Sequence, residues 1–145
     1  MVLEPRKVGQ NSSKTNMNTN EFLSRYAAGQ RNFSAVILIA ANLNHVDLSN
    51  VNLSNADLRG AKLSSTNLTK ANLSHVNLSG AKLSGARLNG ADLSGANLSE
   101  ASLTGANLTK ANMTMTNLTK VDLSDVNVSH TYLRGATMPD GTQHD

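Results

Sequence analysis

The side chains best suited to proton transfer or metal binding in this chain are four histidines: His45, His75, His130 and His144. Serine and threonine hydroxyls surround them, so nucleophilic Ser–His chemistry is the first reaction to weigh. That chemistry needs a third group to orient the imidazole and an oxyanion site, and the sequence singles out neither. The chain has no cysteine, and its histidines lack the ligand spacing of a zinc centre. The expectation is therefore not an enzyme, with no catalytic residue, no cofactor site and no metal site.

Three of the four histidines occupy the same place in a pattern that runs from Arg31 to Asp140. The blocks read RNFSA VILIA ANLNH VDLSN VNLSN ADLRG and continue, five residues at a time, to TYLRG ATMPD. The third residue is Leu almost throughout, with Phe33, Met113, Val128 and Met138 as apolar exceptions. The first is Ala, Val or Thr after the opening Arg31. The second is mostly Asn or Asp, the fourth mostly Ser or Thr, and the fifth often Gly. Stepping from Phe33 to Met138 gives about 22 blocks.

A period of five fits neither regular element. Five helical steps of about 100° rotate each Leu by about 140° from the last, so no face is apolar. On a straight strand five steps place successive Leu side chains on opposite faces. The conflict disappears if each block is a very short strand followed by a corner. The first and third residues then point inward, the second outward, and the fourth and fifth turn the chain. Four corners close a square of about 20 residues, and coils stack at about 4.8 Å. A glycine at the fifth position, such as Gly85 or Gly90, suits a corner that needs positive φ.

Stretches such as ANLSHVNLSGAKLSGARLNGADLSGANLSEASLTGANL resemble the pentapeptide-repeat family, whose consensus is A(D/N)LXX. The resemblance spans about three quarters of the chain. It implies an all-β fold, a right-handed quadrilateral β-helix of about five and a half coils, here with a short N-terminal capping helix. The segments FLSRYAAGQRNFS and ATMPDGT look like the flanks of short cyanobacterial members.

Taken in order, residues 1–18 are polar and without apolar period, and are expected to be disordered or ordered only by contact. Residues 19–30 hold the expected capping helix, with Asn18 and Glu21 as a capping box and Gly29 as the stop. Phe22, Leu23 and Tyr26 share its apolar face and are assigned to packing over the open end of the solenoid. Residues 31–140 form the solenoid, and 141–145 a C-terminal tail. In VILIA, Ile37 and Ile39 stand at outward positions. They are expected to lie under the helix or the tail, or else to form a partner patch.

The rest of the surface reads as columns of residues 20 apart. Lys62 and Lys82 stack as like charges, Glu100 and Lys120 are placed to pair, and Lys70, Gly90, Lys110 and His130 make a mildly basic edge. No face reads as uniformly basic or acidic, and aromatics are only 3% of the chain, so no nucleic-acid partner is expected. Met115 at a corner and Tyr132 at an outward position are the leading candidates for contact with an unidentified protein partner. The N-terminus has no signal-like apolar run and no segment reaches membrane-spanning length, so a cytoplasmic location without membrane contact is expected.

The functional expectation is a non-catalytic protein-binding or scaffold module, regulatory in the manner of cyanobacterial differentiation regulators that the family resemblance brings in. One alternative that the family resemblance also implies is a DNA-mimicking, gyrase-directed protein. That role needs an anionic rod, whereas the whole chain carries +3. A second alternative is a structural protein assembling end to end, since Pro139 stops the repeat and leaves the last coil partly open. The expected state is a monomer or weak end-to-end dimer.

Overall fold

The computed structural model describes residues 13–145. The part of the expected tail before residue 13 lies outside the described residues. The stretch from residue 13 to the helix is ordered by contact with the solenoid, the second of the two states expected for this segment. Thr15–Asn16 forms strand β1, which pairs in parallel with β2, Val36–Ile37, in the register Thr15↔Val36 and Asn16↔Ile37. The Thr15 N–H donates to the Ala35 carbonyl at 3.0 Å, and the Lys14 ammonium reaches the Asn55 carbonyl.

Helix α1 covers Thr19–Ala27. Asn18 caps it, its Oδ1 accepting the Glu21 N–H at 2.8 Å. The capping box is only half formed, because the Glu21 carboxylate turns to Arg25 one helical turn on. At the other end Gly29 takes φ +107°, its N–H donates to Tyr26, and the Gln30 N–H donates to Arg25. These two bonds are a Schellman stop, and glycine is what the positive φ admits without strain.

From Asn32 onward the chain winds in coils of 20 residues. Bridges join Asn32↔Asn52, Asn42↔Lys62, Asp47↔Asn67 and Ile37↔Asp57, and each series continues up the rod. Four ladders define four faces. The first runs from Asn32 to Tyr132, the second from Ile37 to Thr137, the third from Asn42 to Asp122, and the fourth from Asp47 to Asn127. Each rung has a fixed bond pattern. The Leu43 N–H donates to the Lys62 carbonyl, and the Lys62 N–H donates back to Ala41, both at 2.8 Å.

The corners repeat as well. The Val51 N–H donates to the Leu48 carbonyl across Ser49 and Asn50, and Asn50 has φ +62°. A left-handed third turn residue is the type II arrangement. It recurs at the fifth position in block after block, at Gly80 and Gly90 but also at Lys70, Glu100 and Met115. The second-position side chain braces the turn: Asn72 Oδ1 accepts both the Ser74 N–H (3.0 Å) and its hydroxyl (2.8 Å). Inside, the Leu side chains from Leu43 to Leu108 are fully buried, packed against the small first-position residues. Thr66 and Thr116 replace alanine there and stay satisfied, donating to the Leu43 and Leu93 carbonyls at 2.7 Å.

Candidate functional site

The two ends of the rod differ. At the N-terminal end the first coil exposes carbonyls that an earlier coil would have engaged. Side chains engage some of them instead: Tyr26 donates its hydroxyl to the Ser49 carbonyl at 2.8 Å, and Gln30 Nε2 donates to Asn32 at 2.9 Å. Phe22 is fully buried, its ring edge-on to Phe33 with centroids 4.6 Å apart. Leu23 and Tyr26 are partly buried against the same core, and the Arg31 guanidinium lies 3.7 Å over the Tyr26 ring.

At the C-terminal end the chain covers one face only. After Met138 it reverses at Gly141, and Gln143 pairs antiparallel with Thr137. The Gly135 N–H donates to the His144 carbonyl and the His144 N–H to Ala136, both at 2.8 Å. The second face is thus closed at both ends by chain segments, β1 below and Gln143 above. The other faces stop bare: among the described residues the amides of Leu123, Val128 and Leu133 have no partner in the ladder. Leu123, Val126, Leu133 and Met138 are only partly buried there, and Val128, a core position by sequence, is 43% exposed.

The four candidate contact residues separate under this geometry. Ile37 is half-buried in the β1–β2 pairing, whereas Ile39 is 49% exposed, so the tail covers one and not the other. Met115 (62% exposed) and Tyr132 (63%) belong to consecutive coils of the first face. Tyr132 bridges to Asn112, and the Met115 thioether lies across Gly135, three residues beyond Tyr132. With Val128 on the adjoining end they place three of the four exposed large apolar side chains among the described residues around the C-terminal end. Sequence reading missed Val128, and the signal was the break in the repeat at Pro139, before a further coil could cover it.

One electrostatic expectation changes. Glu100 and Lys120 stack one coil apart but form no ion pair; among the described residues the pairs are Glu21–Arg25 and Asp57–Arg59. The Arg59 guanidinium holds Asp57 through both oxygens, at 2.9 and 2.7 Å. That side-chain bonding, despite burial, keeps the Asp57 carboxyl below its usual pKa, with the Arg59 N–H and the nearby Lys14 charge acting the same way. Asp122 and Asp140 are lowered by the hydroxyl and then the N–H of the residue two further on.

Among the described residues there is no pocket, no group of three or more His, Cys, Asp or Glu placed to hold a metal, and no helix long and apolar enough to cross a membrane. What the described residues offer is surface: four flat faces of stacked short strands and a C-terminal end covered on one face only. This is a quadrilateral β-solenoid, an architecture that presents faces rather than a cleft. The chain belongs to the pentapeptide repeat family. The family model for pentapeptide repeats matches residues 32–55, 52–90, 71–109, 86–125 and 101–138. Such proteins form right-handed quadrilateral β-helices.

Three solved structures are similar to it. A pentapeptide repeat protein from the thylakoid lumen of Arabidopsis thaliana is 26% identical, with 82% of this chain and 73% of that one covered, at a TM-score of 0.55. A pentapeptide repeat protein of the cyanobacterium Cyanothece is 32% identical, covering 84% and 97%, at 0.42. HetL of the cyanobacterium Nostoc, a pentapeptide repeat protein involved in heterocyst differentiation regulation, is 26% identical, covering 88% and 100%, at 0.32. No curated protein sequence matches the chain.

Proposed function

We propose that this protein is a non-catalytic binding module, a rod of about five and a half coils that docks a protein partner at its C-terminal end. The observation that carries this reading is the gathering of Met115, Val128 and Tyr132 around the C-terminal end, which the described residues cover on one face only. Aromatic and Met side chains are enriched at recognition surfaces, and a bare strand edge adds backbone donors to them. In this reading α1 caps the opposite end, with Phe22, Leu23 and Tyr26 as its packing face. Partner control through occupancy of the open end is the regulatory form we favour. Affinity capture from a lysate of the source organism tests the reading. A specific partner should be retained by the full chain and lost on Tyr132→Asp or Met115→Asp, with the melting temperature unchanged. A partner that survives both substitutions would contradict it.

A second reading, self-association, draws support from the bare edge itself. Val126 offers a free carbonyl and Val128 a free amide on the same short strand, so two copies related by a twofold near Asn127 can exchange both bonds. Such an interface closes after two copies, because α1 and β1 obstruct head-to-tail stacking. Sedimentation velocity should then show a dimer and no longer species; a ladder of oligomers would exclude this geometry. DNA mimicry fits less well, since the middle of the rod carries unpaired cations on two adjacent faces.

A further inference from the structure

Folding the chain into four faces sorts its charges in a way that single columns conceal. Between Leu58 and Ala91 there are five cations, Arg59, Lys62, Lys70, Lys82 and Arg87, and no carboxylate. Arg59 is engaged by Asp57 on the second face. The others stand on the third and fourth faces. Lys62 and Lys82 are directly bridged neighbours on the third, and Arg87 lies between Asn67 and Asn107 on the fourth. Lys70 occupies the far corner of the fourth face, its stem over Gly90, and Lys110 follows at the same corner.

All five of Lys62, Lys70, Lys82, Arg87 and Lys110 are exposed, and among the described residues none of them is engaged in an ion pair or side-chain hydrogen bond. Within these coils the carboxylates stand elsewhere, Asp92 on the first face and Glu100 at the corner between second and third, while Asp47, which feels the Arg87 charge, lies below the cations in the fourth column and Asp122 and Asp125 lie above them. The ridge between the two cationic faces is Ser65, Gly85 and Gly105, where a Cβ on Gly105 would meet only the backbone of Gly85. Small residues leave this ridge low, so the flanking cations reach a common ligand without steric hindrance. Lys62 and Lys82 sit one ladder step apart and repel, and no carboxylate stands beside them in their own column to offset that repulsion until Asp122.

We infer that the third and fourth faces form a docking surface for an acidic protein segment. The ligand is anionic because five unpaired cations face it over about three coils. It is protein rather than nucleic acid because no aromatic side chain stands on either face to stack a base. This surface is separate from the C-terminal end, so Tyr132→Asp leaves it intact.

The test uses the full chain, a fluorescein-labelled glutamate-rich peptide and a labelled DNA duplex of similar length, read by anisotropy. The peptide should bind at about 50 mM salt and weaken at least about tenfold by about 300 mM. Lys62→Glu with Lys82→Glu should abolish binding. Arg25→Glu with Arg134→Glu, which changes the net charge equally at sites off these two faces, should leave the affinity within about twofold. Thermal melts verify that both double variants fold, and Lys62→Ala with Lys82→Ala serves if the reversal does not. Equal loss in both double variants, tighter binding of the duplex than of the peptide, or no peptide binding at low salt would each overturn the proposal.

Discussion

The thioether of Met115 lies across the α-carbon of Gly135, so close that a Cβ at position 135 would overlap the sulfur. The two residues are corners one coil apart, and the glycine is the floor on which the exposed methionine rests. The same relationship joins His75 to Gly95. Corner glycines in this rod therefore do two things: they take the left-handed φ at no steric cost, and some provide a seat for the side chain below.

These two roles separate by substitution. Gly80→Ala meets nothing within 4 Å, so it carries only the backbone cost of φ +68°, about 1 kcal/mol. Gly135→Ala adds displacement of Met115 and should cost about 1 kcal/mol more. Chemical denaturation of both variants measures the difference, and Met115→Ala should remove most of it in the Gly135→Ala background.

The opposite change should stabilise. Glu100 holds φ +60°, a conformation that costs a non-glycine residue about 1–2 kcal/mol, partly offset by the entropy glycine loses on folding. Glu100→Gly should raise the melting temperature, with a net gain of up to about 1 kcal/mol. Asn50→Gly, at φ +62°, should gain less because asparagine tolerates this region.

Acid stability should follow the braced carboxylates. Asp57, Asp122 and Asp140 have pKa values lowered in the fold, so their contribution is present above the unfolded value of about 3.9. It disappears as pH falls through the lower folded values. Stability should thus be flat from about pH 8 to 5 and decline below about pH 4. Asp57→Asn keeps the turn brace but loses the Arg59 pair, so it should lower stability at neutral pH and make the acid decline shallower.

The N-terminal end rests on one aromatic contact. Phe22→Ala should cost about 3–4 kcal/mol, because the ring is fully buried against Phe33. Hydrogen exchange should then quicken first at the β1–β2 pairing and the first coil. A uniform effect along the rod would show that this end is not a separate cooperative unit.

The five-residue period made the solenoid legible in the sequence, because no other arrangement buries every third-position Leu from Leu43 to Leu108. The positive φ at the corners was legible only where glycine marks it. Lys70, Glu100 and Met115 adopt it because the ladder bonds on either side dictate the turn. Pairing of Thr15–Asn16 with Val36–Ile37 was not legible, since it is made by backbone groups and leaves no side-chain period. A return of residues 141–145 over the last coil was one of two outcomes the sequence allowed, but its register, Gln143 on Thr137, was hidden for the same reason. Columns of Asn and Ser that look like recognition surface are largely occupied with the turns, as Asn72 with Ser74 shows. The cationic half was hidden differently: Lys62 and Arg87 fall in separate columns, and only the corner at Gly85 brings those columns onto adjacent faces.

The account stands most directly on one photo-crosslinking measurement. A photoreactive phenylalanine analogue is placed at Tyr132, at the uncovered end, and in a separate chain at Asn72, mid-rod on the same face. Irradiated in a lysate of the source organism, the position-132 chain should give one discrete protein adduct that Met115→Asp removes, and the position-72 chain none. Adducts of equal yield from both positions, or none from position 132, would contradict a contact surface at the C-terminal end.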